Sequence, residues 1–339
     1  KRSPTTPTCA TSKMGARASL LIATMKSEAF MPTTCWICPP MAVKKPSSKI
    51  TIGGTTTGAA QEDLSLASAG TLTATDTNAK ATWQWSVLNG GIGTYGTLTL
   101  APNGTWTYTL DNGSTLVQSL AAGQAATDYV TVKVTDSLGA TATQKIAITI
   151  SGTNDAPVIS AAPGQDAGAV QEDGTISASG KLTATDIDAG SVLTWSLPGG
   201  GAGTYGSFAL NGPGGWTYQL DNASAKVQAL AGGQHVTDSV TVQVSDGLGG
   251  FATRVVTVDI AGVNDAPVLA AAPGQAQGAV QEDGALAASG QLAAADVDTT
   301  DALSWTVVGG GAGTYGTLGV DQAGKWTYQL DNTSAKLQA

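Results

Sequence analysis

The sequence predicts an all-β chain of tandem seven-strand β-sandwiches, strung as beads on a string, and three observations carry that prediction. The first is an internal repeat: Gln61-Glu62-Asp63 returns at 171–173 and 281–283, Thr94-Tyr95-Gly96 at 204–206 and 314–316, and Trp106-Thr107-Tyr108 at 216–218 and 326–328, always 110 residues apart. The second is alternation at the period of a strand, with Val240, Val242 and Val244 on one face and Thr241, Gln243 and Ser245 on the other. The third is composition. With 44 glycines in 339 residues, 12% charged residues and 5% aromatics, the surface is built from Thr, Ser, Asn and Gly, where an average domain has about 25% charged residues.

Taken in order, residues 1–49 stand apart as a disordered or non-native segment. They hold all three cysteines, all four methionines and eight of the 16 basic residues against the single acid Glu28, a charge of +7. Residues 50–339 carry −16 and no sulfur. Three copies of the repeat then occupy 50–157, 158–267 and 268–339, the last ending before the counterparts of its final two strands. In the second copy the alternation predicts strands near 168–172, 181–185, 192–197, 206–210, 215–220, 238–245 and 252–260, separated by glycine-rich turns. The stretch 222–234 can hold one helical turn. Asn154-Asp155-Ala156-Pro157 and its copy at 264–267 join the repeats, and the proline stiffens each joint. The chain opens on Lys1 rather than Met, so it reads as a portion of a longer protein.

The acidic body disfavours nucleic acid and favours hard cations. No apolar run is long enough to span a membrane, so no membrane insertion is expected of this stretch. Trp85, Trp195 and Trp305, with Trp106, Trp216 and Trp326, alternate as core residues do. His235 is the lone histidine and reads as a surface loop residue; no Ser-His-Asp or Cys-His pattern recurs, so no catalytic residue is assigned. Cys35-Trp36-Ile37-Cys38 has the spacing of a redox or zinc half-site, but neither a second pair nor a nearby histidine accompanies it.

Successive antiparallel strands place turns alternately at the two ends of a sandwich, and this locates the acids. Asp186, Asp188 and Asp246 fall at the end where the preceding linker enters, whereas Glu172 and Asp221 fall at the end where the next one leaves. At the first junction Glu62 and Asp111 from one repeat, Asn154 and Asp155 from the linker, and Asp186, Asp188 and Asp246 from the next should converge. At the second, Glu172, Asp221, Asn264, Asp265, Asp296 and Asp298 offer the same set. Carboxylate, amide and backbone oxygens in this number are the ligands calcium takes.

The order Gln-Glu-Asp, then 182–188 (Leu-Thr-Ala-Thr-Asp-Ile-Asp), then Val244-Ser245-Asp246-Gly247, then Asn-Asp-Ala-Pro resembles the bacterial VCBS repeat, a cadherin-like module of large secreted RTX-type adhesins. The resemblance covers 50–339 and implies an Ig-like sandwich, calcium at the linkers and type I export. Carried over by motif, its cation ligands are Glu62, Glu172, Asp155, Asp265, Asp186 with Asp188, Asp296 with Asp298, and Asp246. Repeat 1 departs, with Asp76-Thr77-Asn78 for the Asp-x-Asp and Lys44-Lys45-Pro46-Ser47 for the linker motif. Ala223 stands where cadherins have a further acid, which implies fewer ions per junction. The expectation is a non-enzymatic, calcium-stiffened spacer or adhesive module for cell-surface or biofilm attachment, extracellular or on the bacterial surface. Its partners are its neighbouring repeats and an unknown receptor or glycan. The rival reading is the accessory stalk or carbohydrate-binding module of a secreted hydrolase.

Overall fold

The structure is a computed structural model and describes residues 49–338. The expectations for residues 1–49, Cys35 and Cys38 included, fall outside the described residues up to Ser48. Repeat 1 contains β1 (Ile50–Gly54), β2 (Thr57–Gln61), β3 (Ala67–Asp76), β4 (Trp83–Val87), β5 (Gly96–Leu100), β6 (Thr105–Leu110), β7 (Ala125–Asp136) and β8 (Thr141–Ser151). They form two four-stranded sheets, ordered β1-β3-β6-β5 and β2-β8-β7-β4. Repeat 2 follows the same plan with β9 (Val158–Ala161), β10 (Ala167–Gln171), β11 (Ser177–Thr185), β12 (Thr194–Ser196), β13 (Gly206–Leu210), β14 (Gly215–Leu220), β15 (His235–Ser245) and β16 (Phe251–Ala261). Its sheets are β13-β14-β11-β9 and β10-β16-β15-β12.

All seven strands expected in repeat 2 are present, and β9 is an additional one. It is only four residues long, too short for its alternation to register in the sequence, and it pairs antiparallel with the end of β11. The chain then crosses to the other sheet, where β10 runs parallel to β16. His235 opens β15 rather than lying in a loop, because its register partner Ala261 extends the hairpin to that point. The helical turn forms in repeat 1 as Thr115–Gln118, capped by Ser114 Oγ accepting from Leu116 N–H. Its repeat 2 counterpart closes as hydrogen-bonded turns on Ser224.

Each sandwich encloses one apolar core from the inward residues of both sheets. In repeat 2 it includes Val170, Leu182, Phe208, Trp216, Tyr218, Val242, Val256, Val258 and Ile260. Trp216 is 1% exposed, and its Nε1–H donates to Gln165 O at 2.8 Å. The ring lies so close to β11 that a Cβ at Gly180 would come within 2.7 Å of it, so the strand needs glycine there. One buried acid crosses this core. Asp238 accepts the Thr204 and Tyr205 N–H groups and the Tyr218 hydroxyl at 2.8–2.9 Å, tying the loop before β13 to β14 and β15. Asp128 does the same in repeat 1.

Repeat 3 contains β17 (Val268–Ala271), β18 (Ala287–Ala295), β19 (Gly316–Val320) and β20 (Lys325–Leu330), in one sheet ordered β17-β18-β20-β19. Residues 277–281 and 304–306, the counterparts of β10 and β12, are not strands. In repeat 2 those two strands pair with β16 and β15, whose counterparts are absent among the described residues. The apolar face of the sheet is left open, lined by Leu269, Leu292, Trp305, Leu318, Val320 and Trp326.

Candidate metal centre

Strand pairing brings the acids of two repeats to one place. Because β2 is parallel to β8, both end at the same pole of repeat 1, and Glu62 N–H donates to Ser151 O at 3.1 Å where the linker begins. From the other side, β11 ends against the start of β9 (Thr185 opposite Val158), which carries Asp186 and Asp188 back to the linker. The joint is closed by Asp155 N–H donating to Asp188 Oδ2 at 2.9 Å.

Glu62 is fully buried, at 0% exposure, and among the described residues neither oxygen meets a donor at hydrogen-bond geometry. Burial, then the charges of Asp155, Asp63 and Asp188, push its carboxyl up from 4.5 to about 7; the nearby Thr153 backbone N–H favours the ionised form a little. Asp155 is raised for the same reasons, burial first and then Asp63, Asp188 and Asp186. Asp155 Oδ2, Asp186 Oδ2, Asp188 Oδ1 and Asn154 Oδ1 are likewise buried and, among the described residues, without a hydrogen-bond partner. Buried acceptors are ordinarily paired. Orphans at one junction, all of them oxygen and most of them anionic, suit a hard cation of the calcium class.

The remaining expected ligands sit differently. Asp246 Oδ1 accepts from Leu248 and Gly250 N–H, and its Oδ2 from Asn154 Nδ2 at 2.8 Å. The Asn154 amide foremost, with these backbone donors, holds its carboxyl below the usual range, so Asp246 orients Asn154. Asp111 and Asp221 are exposed, and their backbone N–H groups donate to Tyr95 and Tyr205 O. Their side chains are open to solvent, unlike the orphaned oxygens. The residue that sequence reasoning passed over is Asp63, used there only as a landmark of the repeat. Glu62, Asp63 and Asp155 each offer an oxygen within 4.8 Å of the others.

The second junction is built from the same parts with different wiring. Asp265 N–H donates to Asp298 Oδ2 at 2.7 Å, and Asp298 Oδ1 and Asp265 Oδ2 are orphaned among the described residues. Glu172, however, accepts Gln228 Nε2 at 3.0 Å and Val263 N–H at 3.1 Å. Asp296 and Asp298 are joined by Asp301, whose repeat 2 counterpart is Ser191, with one oxygen from each of the three within 4.8 Å of the others. Burial foremost raises Glu172 and Asp265.

The sequence model of a family described as bacterial cadherin-like domain matches residues 50–152, 154–262 and 264–338. Among solved structures, mouse cadherin-23 EC22-24 is 17% identical and similar over 84% of this chain and 89% of that one, at a TM-score of 0.46. Human CDH23 EC21-23 is 14% identical over 83% and 89%, at 0.46. The protocadherin gammaB4 extracellular domain is 12% identical over 85% and 46%, at 0.41. None of the curated proteins matches the chain.

Proposed function

The chain belongs to the bacterial cadherin-like domain family, and from that premise we propose that residues 50–339 are a calcium-stiffened repeat region of an extracellular or cell-surface adhesin. Within the family we read the repeats as the VCBS type of RTX adhesins, bounded near residues 157 and 267. They serve as spacer or adhesive module in surface or biofilm attachment. The partners are the neighbouring repeats and a surface receptor or glycan.

The observation that carries this reading is the Glu62 carboxylate, buried at a repeat junction without a hydrogen bond among the described residues and facing Asp155 and Asp188. A carboxylate taken out of water without a partner is costly. A divalent cation offsets that cost and joins both repeats through one centre. Glu62 would hold it from repeat 1, Asp155 and the Asn154 carbonyl oxygen from the linker, and Asp186 and Asp188 from repeat 2. Without it, like charges splay the joint.

Extracellular modules hold calcium with dissociation constants of about 10⁻⁴ to 10⁻³ M. Free ion at ten to a hundred times that value stabilises the fold by about 1.4 to 2.7 kcal/mol per site. Calcium should therefore raise the melting temperature and reduce the radius of gyration of the chain relative to chelator. An Asp186→Ala, Asp188→Ala double variant should lose most of that response, keeping only what the second junction supplies. Identical melting and dimensions of the wild type in calcium and in chelator would end the proposal.

A further inference from the structure

We propose that Asp63 is a ligand of the cation at the first junction, beside Glu62 and Asp155, and that Asn112 is its positioning residue. This rests on the calcium reading above and assigns a residue that the linker motifs do not include.

The three side chains each place an oxygen within 4.8 Å of the other two. Proximity of acids alone would say little. The independent observation is Glu62, which belongs to this group, is 0% exposed, and has both oxygens unpaired among the described residues. A side chain so placed calls for positive charge at the spot where Asp63 also points.

The orientation of Asp63 is set by its surroundings. Its backbone lies in the left-handed region at φ 57°, which non-glycine residues other than Asn and Asp rarely adopt. Asn112 holds it there from the turn after β6: Asp63 N–H donates to Asn112 Oδ1 at 3.0 Å, and Asn112 Nδ2 donates to Asp63 Oδ1 at 2.6 Å. Gln118 Nε2 adds a bond to the same Oδ1 at 3.3 Å. Both amides thus converge on one oxygen, and Oδ2 is the atom left for a cation. The reciprocal pair recurs at Asp173 with Asn222 and at Asp283 with Asn332, each acid at φ 53–54°.

The full chain and its variants are titrated with calcium chloride by calorimetry, and melting is followed in calcium and in chelator. Asp63→Asn keeps the shape and tolerates the left-handed backbone, so it should fold. It should weaken one of the binding steps by about tenfold, because ligand charge count tunes such sites, and leave the melting temperature in chelator unchanged or higher. Asn112→Ala should weaken the same step at an unchanged melting temperature in chelator. Wild type that binds calcium while Asp63→Asn binds it equally well, with Asp155→Asn impaired, overturns this inference and leaves the calcium reading standing. Wild type that binds no calcium overturns both. A fall in the chelated melting temperature of Asn112→Ala with unchanged calcium affinity makes Asn112 a staple between turns and overturns its positioning role.

Discussion

Glu62 ties the joint to pH. From its ordinary value of 4.5 up to about 7, the folded chain keeps a proton on this carboxyl that the unfolded chain has already released. Folding then takes up protons, so in chelator stability falls as pH rises through that window. Asp155, Glu172 and Asp265 are raised and act in the same direction, whereas Asp166, lowered first by its bond from Arg254, and Asp246 act below their usual 3.8. The chelated melting temperature should decline from pH 4.5 to 7, and saturating calcium, which favours the ionised form, should flatten the decline. A flat profile in chelator would show that Glu62 titrates normally. Asp238 is the contrasting buried acid, with three donors on its carboxylate: removing it as Asp238→Ala strands the Thr204 and Tyr205 N–H groups and the Tyr218 hydroxyl. At about 1–3 kcal/mol for each unsatisfied group, repeat 2 should lose about 3 kcal/mol or more in denaturant titrations. The linker and Asp-x-Asp residues were legible because they repeat as motifs and lie at strand ends. Asp63 was not: it and Asn112 recur in every repeat, but periodicity alone does not show that an acid and an amide 49 residues apart are paired across a left-handed turn.

At the scale of elements, the strands with alternating apolar residues were readable, and those defined by pairing were not. β9 is held by the end of β11, and residues 277–281 and 304–306 match strands of repeat 2 in sequence yet stay irregular. The difference lies in their partners, because a strand needs a neighbour to satisfy its backbone. Each valine left without its opposing layer forgoes about 1.5–3 kcal/mol of burial, set against a total domain stability of about 5–15 kcal/mol. Hydrogen exchange on a chain of just these 339 residues should accordingly find residues 268–338 much less protected than 158–261. Equal protection of the two segments would contradict the pairing argument.

Across the whole molecule, the tandem plan was legible because the 110-residue register never slips, and the junctions were legible as acidic because every strand-end acid returns with it. What the repeat could not reveal is that the two junctions differ. Gln118 donates to Asp63 at the first, whereas Gln228 donates to Glu172 at the second, and Asp301 has no acidic counterpart in repeat 2. Near-identical motifs thus leave the first glutamate without a donor at hydrogen-bond geometry among the described residues and the second hydrogen-bonded, a difference that packing around the linker decides.

The parallel pairing of β10 with β16 has a mechanical consequence. The two strands match over five residue pairs, from Ala167 opposite Thr257 to Gln171 opposite Ala261, and the chain enters the repeat shortly before the first and leaves it just after the second. Tension on the chain therefore drags them lengthwise past each other. The ladder bonds share the load and must yield together, whereas a hairpin pulled at its open end gives way one bond at a time. β2 and β8 form the same clamp in repeat 1.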